Sequence, residues 1–331
     1  MATTVKRRAR LAEVVLPDFG TPRTEPLLPA SIHRDRMERL RSRMEVRGYD
    51  RIVVWADREH SANIAYLTGF DPRFEEAVLV VGASSDPAIL VGNECHGLAE
   101  AAPLAMRPVR FQDLSLPGQP RSASRPLPEI LRDEGIEPGG RIGVVGWKTY
   151  SSRETIEAPA FLVDALRWAT GPAGLVENAN DILIDPVDGL RVINEVEQLA
   201  AFEWSACQTS SGVSNVLTGV RPGMTERDCV QLLRWNGSPL SCHLMLTAGP
   251  RARYGLLSPG DRPVERGDPF TVAFGIWGAL NCRAGFLVEA PSELPDGIHD
   301  YLERLVAPYF AAVADWYESL HVGQVGGELQ A

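Results

Sequence analysis

Few residues of this chain are equipped for acid–base, nucleophilic or metal chemistry, and their spacing limits what they can do. Five cysteines, Cys95, Cys207, Cys229, Cys242 and Cys282, are scattered with no C-x-x-C pair. An odd, unpatterned count without a secretion signal predicts reduced thiols in a cytoplasm. Cys282 stands between Asn281 and Arg283, and a nearby Arg lowers a thiol pKa. It reads as a buried structural cysteine, with an activated thiol as the alternative. His243, in Ser241-Cys242-His243-Leu244-Met245, alternates with apolar neighbours and is expected to be a hydrogen-bonded core histidine. Cys95-His96 follows a predicted strand and matches no ligand spacing. His60 and Arg73 flank the turn Tyr66-Leu67-Thr68-Gly69 and are expected at the surface. Between Phe270 and Leu287 there is no Asp, Glu or His at all.

The elements that position these residues follow from the hydrophobic pattern. Residues 1–30 hold Pro17, Pro22, Pro26 and Pro29 and read as an extended arm. Met37, Leu40 and Met44 mark a helix from Arg34 to near Gly48. Ile52–Trp55, Val78–Val81, Ile89–Val91 and Ile142–Val145 are short apolar runs bounded by Asp, Gly and Pro, the pattern of buried strands. With the helical stretch Leu127–Glu134 they predict an α/β domain, and residues 114–127 form a polar loop inside it. Turn signals between Asp181 and Val192 mark a domain boundary. Beyond it, Val196–Leu217 reads as a long amphipathic helix, and Thr225 caps a second one with Glu226 and Asp228 in its first turn. Leu240–Leu246 and Pro269–Leu287 are strand-like, and Ile298–Leu320 is helical with a kink expected at Pro308. The helix–glycine turn–helix pattern around Gly223 recurs about a hundred residues later around Gly323, which suggests a duplicated half-domain.

Composition narrows the partners. At 331 residues the chain can build two cores, and its formal charge of −10 with a pI near 5.2 argues against nucleic acid. Lys6-Arg7-Arg8-Ala9-Arg10 is basic, but no apolar stretch of signal-peptide length follows it. A disordered tail is the compositional reading, with a targeting signal or polybasic anchor as the alternative. The longest apolar run, Phe270–Leu280, is broken by glycines and too short for a membrane span. A soluble, cytoplasmic protein is expected.

Several motifs in order resemble one family. Asn63-Ile64-Ala65-Tyr66-Leu67-Thr68-Gly69-Phe70, after Arg36-Met37-Glu38-Arg39-Leu40 and Gly48-Tyr49-Asp50, resembles the strand-to-turn signature of creatinase and prolidase N-terminal domains. Leu190 to Glu197 is similar to the stretch that opens the catalytic domain of that family. Arg221-Pro222-Gly223-Met224-Thr225-Glu226 resembles the glycine turn between its first two helices. Asp261 to Asp268 resembles the hairpin leading to its metal-bearing strand. The resemblance to the creatinase, prolidase and aminopeptidase P family spans about residues 34–331. It implies an arm (1–30), a creatinase-like N-terminal α/β domain (31–185) and the first part of an α+β pita-bread domain (186–331). The chain stops at Ala331 inside what the resemblance makes the next helix, so a longer natural protein is expected.

The resemblance also implies what is missing. Metal-dependent members carry two aspartates eleven residues apart on a strand pair, and those positions fall on Ala273 and Ala284. The family histidine twelve residues before Asp268 corresponds to Leu256. A methyl group cannot ligate a metal, so no metal and no other cofactor is expected. Creatinase cleaves a C–N bond without metal, which leaves a metal-independent hydrolase of a small amide, amidino or dipeptide-like compound. The alternative is a catalytically inactive peptide-binding module, and an ordinary dinuclear aminopeptidase would need ligands absent here. Candidate substrate-binding residues are Arg253, Tyr254, Asn281, Arg283 and His243, with Arg251 and Cys282 beside them. An Arg there would hold a substrate carboxylate bidentately in place of the lost cation, or else be an ordinary surface residue. The family further implies a homodimer acting on a small molecule or short peptide, with Arg73 a contact toward the partner's site.

Overall fold

The computed structural model describes residues 9–18 and 20–330, so Lys6, Arg7 and Arg8 of the basic segment lie outside the described residues. The chain forms two compact units, one of Leu27–Leu199 and one of the residues from Ala200 onward with the arm up to Pro26.

The first unit is a sheet between helical layers. Its strands are β1 (Arg51–Ala56), β2 (Ala77–Gly82), β3 (Ala88–Val91), β4 (Arg107–Arg110), β5 (Arg141–Val145) and β6 (Leu175–Asn178). They lie in the order β4-β3-β2-β1-β5-β6. β2 runs antiparallel to both neighbours, and the other pairings are parallel. Alternate residues of β1 face opposite layers. Ile52 and Val54 pack with Met37, Leu40 and Met44 of helix α1 (Ala30–Arg47) and with Ile64 and Leu67 of α2 (Ala62–Thr68). Cys95 of α3 (Cys95–Glu100) joins the same layer. Val53 and Trp55 pack with Ile130 and Leu131 of α4 (Leu127–Asp133) and with Leu162 and Leu166 of α5 (Ala160–Thr170). Burial on both faces is why these strands read as continuous apolar runs.

The structure departs from the sequence pattern in places. Asn63–Phe70 is a helix and glycine turn, not a strand and turn: Ile64 and Leu67 share a buried face, and Gly69 ends the helix at φ +73°. β4 and β6 carry no apolar run to announce them. Pro108 suits β4 to the sheet edge, while Glu177 of β6 is held by Tyr49 and Arg141 at 2.8 and 2.7 Å.

One buried polar network ties together three motifs that are distant in sequence. Arg36 is only 1% exposed and donates to Tyr66 O (2.8 Å), to both Glu195 oxygens (3.2 and 2.5 Å) and to Gln198 (3.1 Å). Its guanidinium lies 4.1 Å from the Tyr66 ring centre. Tyr66 OH donates to Leu190 O at 2.8 Å, and Arg191 donates to Asn63 at 2.8 Å. After β6 the chain reaches this network through the short helix α6 (Asp181–Ile184). A buried guanidinium is tolerated only when its donors are satisfied, so these residues must fold as a set.

The second unit is built on α7 (Val196–Gly219) and α8 (Glu226–Gln231). Thr225 and Asp228 close a capping box on α8, as the sequence pattern expects. Trp204, Val213 and Val216 of α7 pack against the sheet of β7 (Met245–Ala248), β8 (Pro269–Ile276) and β9 (Ala279–Phe286). Strand-like Leu240 makes only an isolated bridge to Ile276. The arm lies on α7 through Gln208, which donates to Pro22 O at 2.6 Å. Helix α9 (Ala307–Ser319) continues from a π-type turn at Leu302–Val306, and Pro308 sits in the first α-helical turn after it. Gly223 and Gly323 both adopt φ +89°, leading to α8 and to the short α10 (Gly326–Gln330) respectively. The echo seen in sequence is thus also an echo of backbone geometry.

Candidate ligand site on the three-stranded sheet

Strand register decides which side chains share a surface. Opposite residues of an antiparallel pair lie on one face. Phe270, Val272, Phe274 and Ile276 enter the core beneath α7. The other face carries two rows: Thr247, Thr271 and Ala284, and then Met245, Ala273 and Cys282. Thr247 and Thr271 hydrogen-bond to each other at 2.8 Å. Ala273 and Ala284, the pair singled out by resemblance, therefore do share a face, and it is paved by methyl, thioether, hydroxyl and thiol groups. Among the described residues no group of three or more His, Cys, Asp or Glu is placed to hold a metal ion.

A depression of about 350 Å³ opens beside Ala284. Pro250, Pro269, Phe286 and Tyr301 give it apolar walls, and Arg253 is the charged residue in its lining. Phe286 and Tyr301 meet edge-to-face at 5.1 Å. Arg253, the penultimate residue of the 3₁₀ stretch Gly249–Tyr254, donates to Tyr254 OH at 2.5 Å, stacking 4.7 Å above that ring. That stretch is anchored from below by the fully buried Glu226, which accepts from Ala248 N (2.9 Å), Gly260 N (2.6 Å) and Arg251. Arg262 clamps Asp268 at 2.5 and 3.1 Å and so fixes the approach to β8.

The structure sorts the residues picked from sequence. Arg253 lines the depression and Tyr254 supports it. Arg251 belongs to the anchor. Asn281 turns to the opposite face, where it donates to Thr209 of α7 at 2.7 Å. Arg283 shares that parity but wraps the sheet edge to reach Cys282 O at 2.7 Å. Cys282 is exposed, not buried. His243 is likewise exposed, because four residues, 241–244, bulge between the bridge at Leu240 and the pair Met245–Ala273. Its Nε2 lies 2.8 Å from Leu256 O. Local alternation misread it as core because a bulge breaks the period-two rule. Thr247, Thr271, Phe286 and Tyr301 escaped the sequence reading, and Glu226 was read only as a first-turn acid of its helix, since strand register and helix packing distant in sequence bring them together.

In the first unit, His60 is held by Asp57 at 3.0 Å and stacks on Trp147. Arg73 pairs with Asp71 at 3.2 Å and is exposed. Cys95 is buried and donates to Pro72 O at 3.0 Å, with burial pushing its thiol up to about 12.

Comparison with known proteins supplies the context. Residues 36–164 match the Creatinase/Prolidase N-terminal domain. No curated protein matches the chain. Among solved structures, the prolidase of Pyrococcus horikoshii OT3 superposes with a TM-score of 0.64 at 15% identity, covering 89% of this chain and 75% of that one. A Xaa-Pro dipeptidase from Bacillus anthracis gives 0.62 at 16% identity, with 90% and 75% covered. An X-Pro aminopeptidase from Thermotoga maritima MSB8 gives 0.60 at 17% identity, with 85% and 70% covered. The resemblance and the fold class read from sequence are borne out: the chain carries a creatinase/prolidase N-terminal domain and has the fold of the creatinase and prolidase family.

Proposed function

We propose that the β7–β9 unit is a peptidase-family site that binds a small peptide-like or amide compound through a carboxylate, without the metal pair of metal-dependent members. The observation that carries this is that Arg253 and Ala284 line one depression whose lining, among the described residues, holds no His, Asp, Glu, Lys or Cys. Two methyl groups at 273 and 284 do not fit a dinuclear centre. Binding is favoured over turnover because, among the described residues, no lining group is suited to accept a proton at neutral pH.

Metal content after incubation with Mn²⁺ and dialysis tests the first half of this reading. Two tightly held equivalents would reject it, and none retained supports it. Calorimetric titration with Ala-Pro tests the second half. Binding that is lost in Arg253→Ala is the expected result, and unchanged affinity rejects the role of Arg253.

A second reading is metal-independent C–N hydrolysis. It is favoured by His243, whose imidazole bonds the carbonyl of Leu256, the residue aligned with the family histidine. Turnover of Ala-Pro or of an amidino compound, abolished in His243→Ala, would replace the binding reading with this one. By the same resemblance the protein is read as a cytoplasmic homodimer. Among the described residues no helix is long and apolar enough to cross a membrane. A monomer by light scattering at micromolar concentration would overturn the dimer.

A further inference from the structure

The first unit has a depression of its own, of about 310 Å³, at the end of the six-stranded sheet where β1 and β4 begin. Arg51 opens β1, Arg107 opens β4, and Ser85 and Asp86 lie in the turn from β2 to β3. The remaining wall is the end of α4 and the turn after it, Asp133, Glu134 and Gly135. All of these residues fall inside the stretch 36–164 that matches a single domain. Arg51 is held in place from two sides. Its Nε donates to Glu134 O at 2.8 Å and its Nη1 to Asp50 O at 2.7 Å. Gly135 sits at φ +79°, and a Cβ there would come within 2.0 Å of Arg51 Nη2. Only glycine therefore lets the guanidinium lie across this turn. The β2–β3 turn is fixed as well, because Arg41 donates to Gly82 O at 3.1 Å and to Ser85 O at 2.7 Å.

Charge selects the occupant. Arg107 is ion-paired to Glu134, and Asp133 to Arg125 at 2.7 Å. That leaves one cation and one anion of the lining over. Arg51 bonds only backbone carbonyls, and its Nη2 has no acceptor among the described residues. Asp86 is exposed and has neither a cation nor a hydrogen-bond partner among them. Ser85 adds a hydroxyl between the two in sequence and surface. We infer that this depression binds a free α-amino acid as its zwitterion, with the carboxylate on Arg51 Nη2 and Ser85 Oγ and the ammonium on Asp86. A guanidinium that keeps N–H donors free suits a carboxylate, and a bare carboxylate suits an ammonium. The volume stands at the small end of ligand pockets, and the lining contains no aliphatic or aromatic side chain. Both favour an amino acid with a small polar side chain over a larger or apolar one. The inference does not rest on the Arg253 depression, and the two readings can fail separately.

The test uses the full chain and L-serine, titrated and followed by saturation-transfer NMR of the ligand. Saturable binding with a dissociation constant of about 10 mM or below is expected. Asp86→Asn should weaken it about tenfold or more. That variant breaks no bond of the fold, so its unfolding midpoint should stay near that of the parent. Serine methyl ester, which lacks the carboxylate, and acetate, which lacks the ammonium, should each bind about tenfold more weakly than serine. Arg253→Ala should leave serine binding unchanged. Serine binding that survives Asp86→Asn but is lost in Arg253→Ala would place the ligand in the other depression and overturn the inference. Acetate binding as tightly as serine would also overturn it, by leaving a plain anion site. So would a titration that shows no saturation by about 50 mM.

Discussion

Replacing Glu195 by Gln should destabilise the first unit at neutral pH and do almost nothing in strong acid. The carboxylate accepts two bonds from the buried Arg36 and one from Arg39. Burial alone would raise its pKa. Hydrogen bonds from Arg36, from its own backbone N–H and from Arg39 overcome that, and lower the pKa from 4.5 to about 2. Such a drop corresponds to about 3 kcal/mol of folding free energy at neutral pH. The sign follows from which state binds the proton more readily. The unfolded carboxyl protonates near its ordinary value and the folded one only near pH 2, so the contribution is complete above pH 4.5 and fades between those values. Glu195→Gln mimics the protonated group, so its stability curve should run about 3 kcal/mol below the parent at pH 7 and converge with it near pH 2. Urea unfolding followed by tryptophan fluorescence at four or five pH values measures the gap. A gap that stays constant with pH, or stays below about 0.5 kcal/mol throughout, would refute the assignment of Glu195 as the charged partner of Arg36.

Further outcomes follow from packing and capping. Gly69→Ala places a Cβ within 2.7 Å of the Pro103 ring at a positive φ; a loss of about 2 kcal/mol is expected by thermal unfolding. Thr225→Ala removes the capping box of α8 and should cost about 1 kcal/mol, while Thr225→Ser should cost little. Thiol labelling under native conditions should reach Cys282 first and spare Cys95 and Cys229, whose thiols burial pushes up to about 12 and about 11. Peptide mapping by mass spectrometry reads this out, and rapid native modification of Cys95 would contradict its burial.

How much was legible in the sequence depended on how local each signal is. The runs Ile52–Trp55 and Val78–Val81 announced β1 and β2 because strands buried on both faces need unbroken apolar residues. Thr225 with Asp228, and Gly48 after α1, marked helix ends because caps act within a few residues. β4 and β6 were silent. Their pairing is set by neighbours in the sheet and not by their own composition, as Pro108 and Glu177 show.

The site divides along the same line. The sequence by itself determined that residues 273 and 284 are alanines, that no acid or histidine stands between Phe270 and Leu287, and that an arginine precedes the hairpin. Only the tertiary structure decided that Asn281 faces α7, that Arg283 caps its own strand edge, that His243 bulges to the surface and that Arg253, Ala284 and Tyr301 line one depression. The reason is physical: side-chain chemistry is fixed residue by residue, but the face of a strand flips with every single-residue shift in register. That register is set by the pairing of β7, β8 and β9 over the core under α7, through contacts distant in sequence.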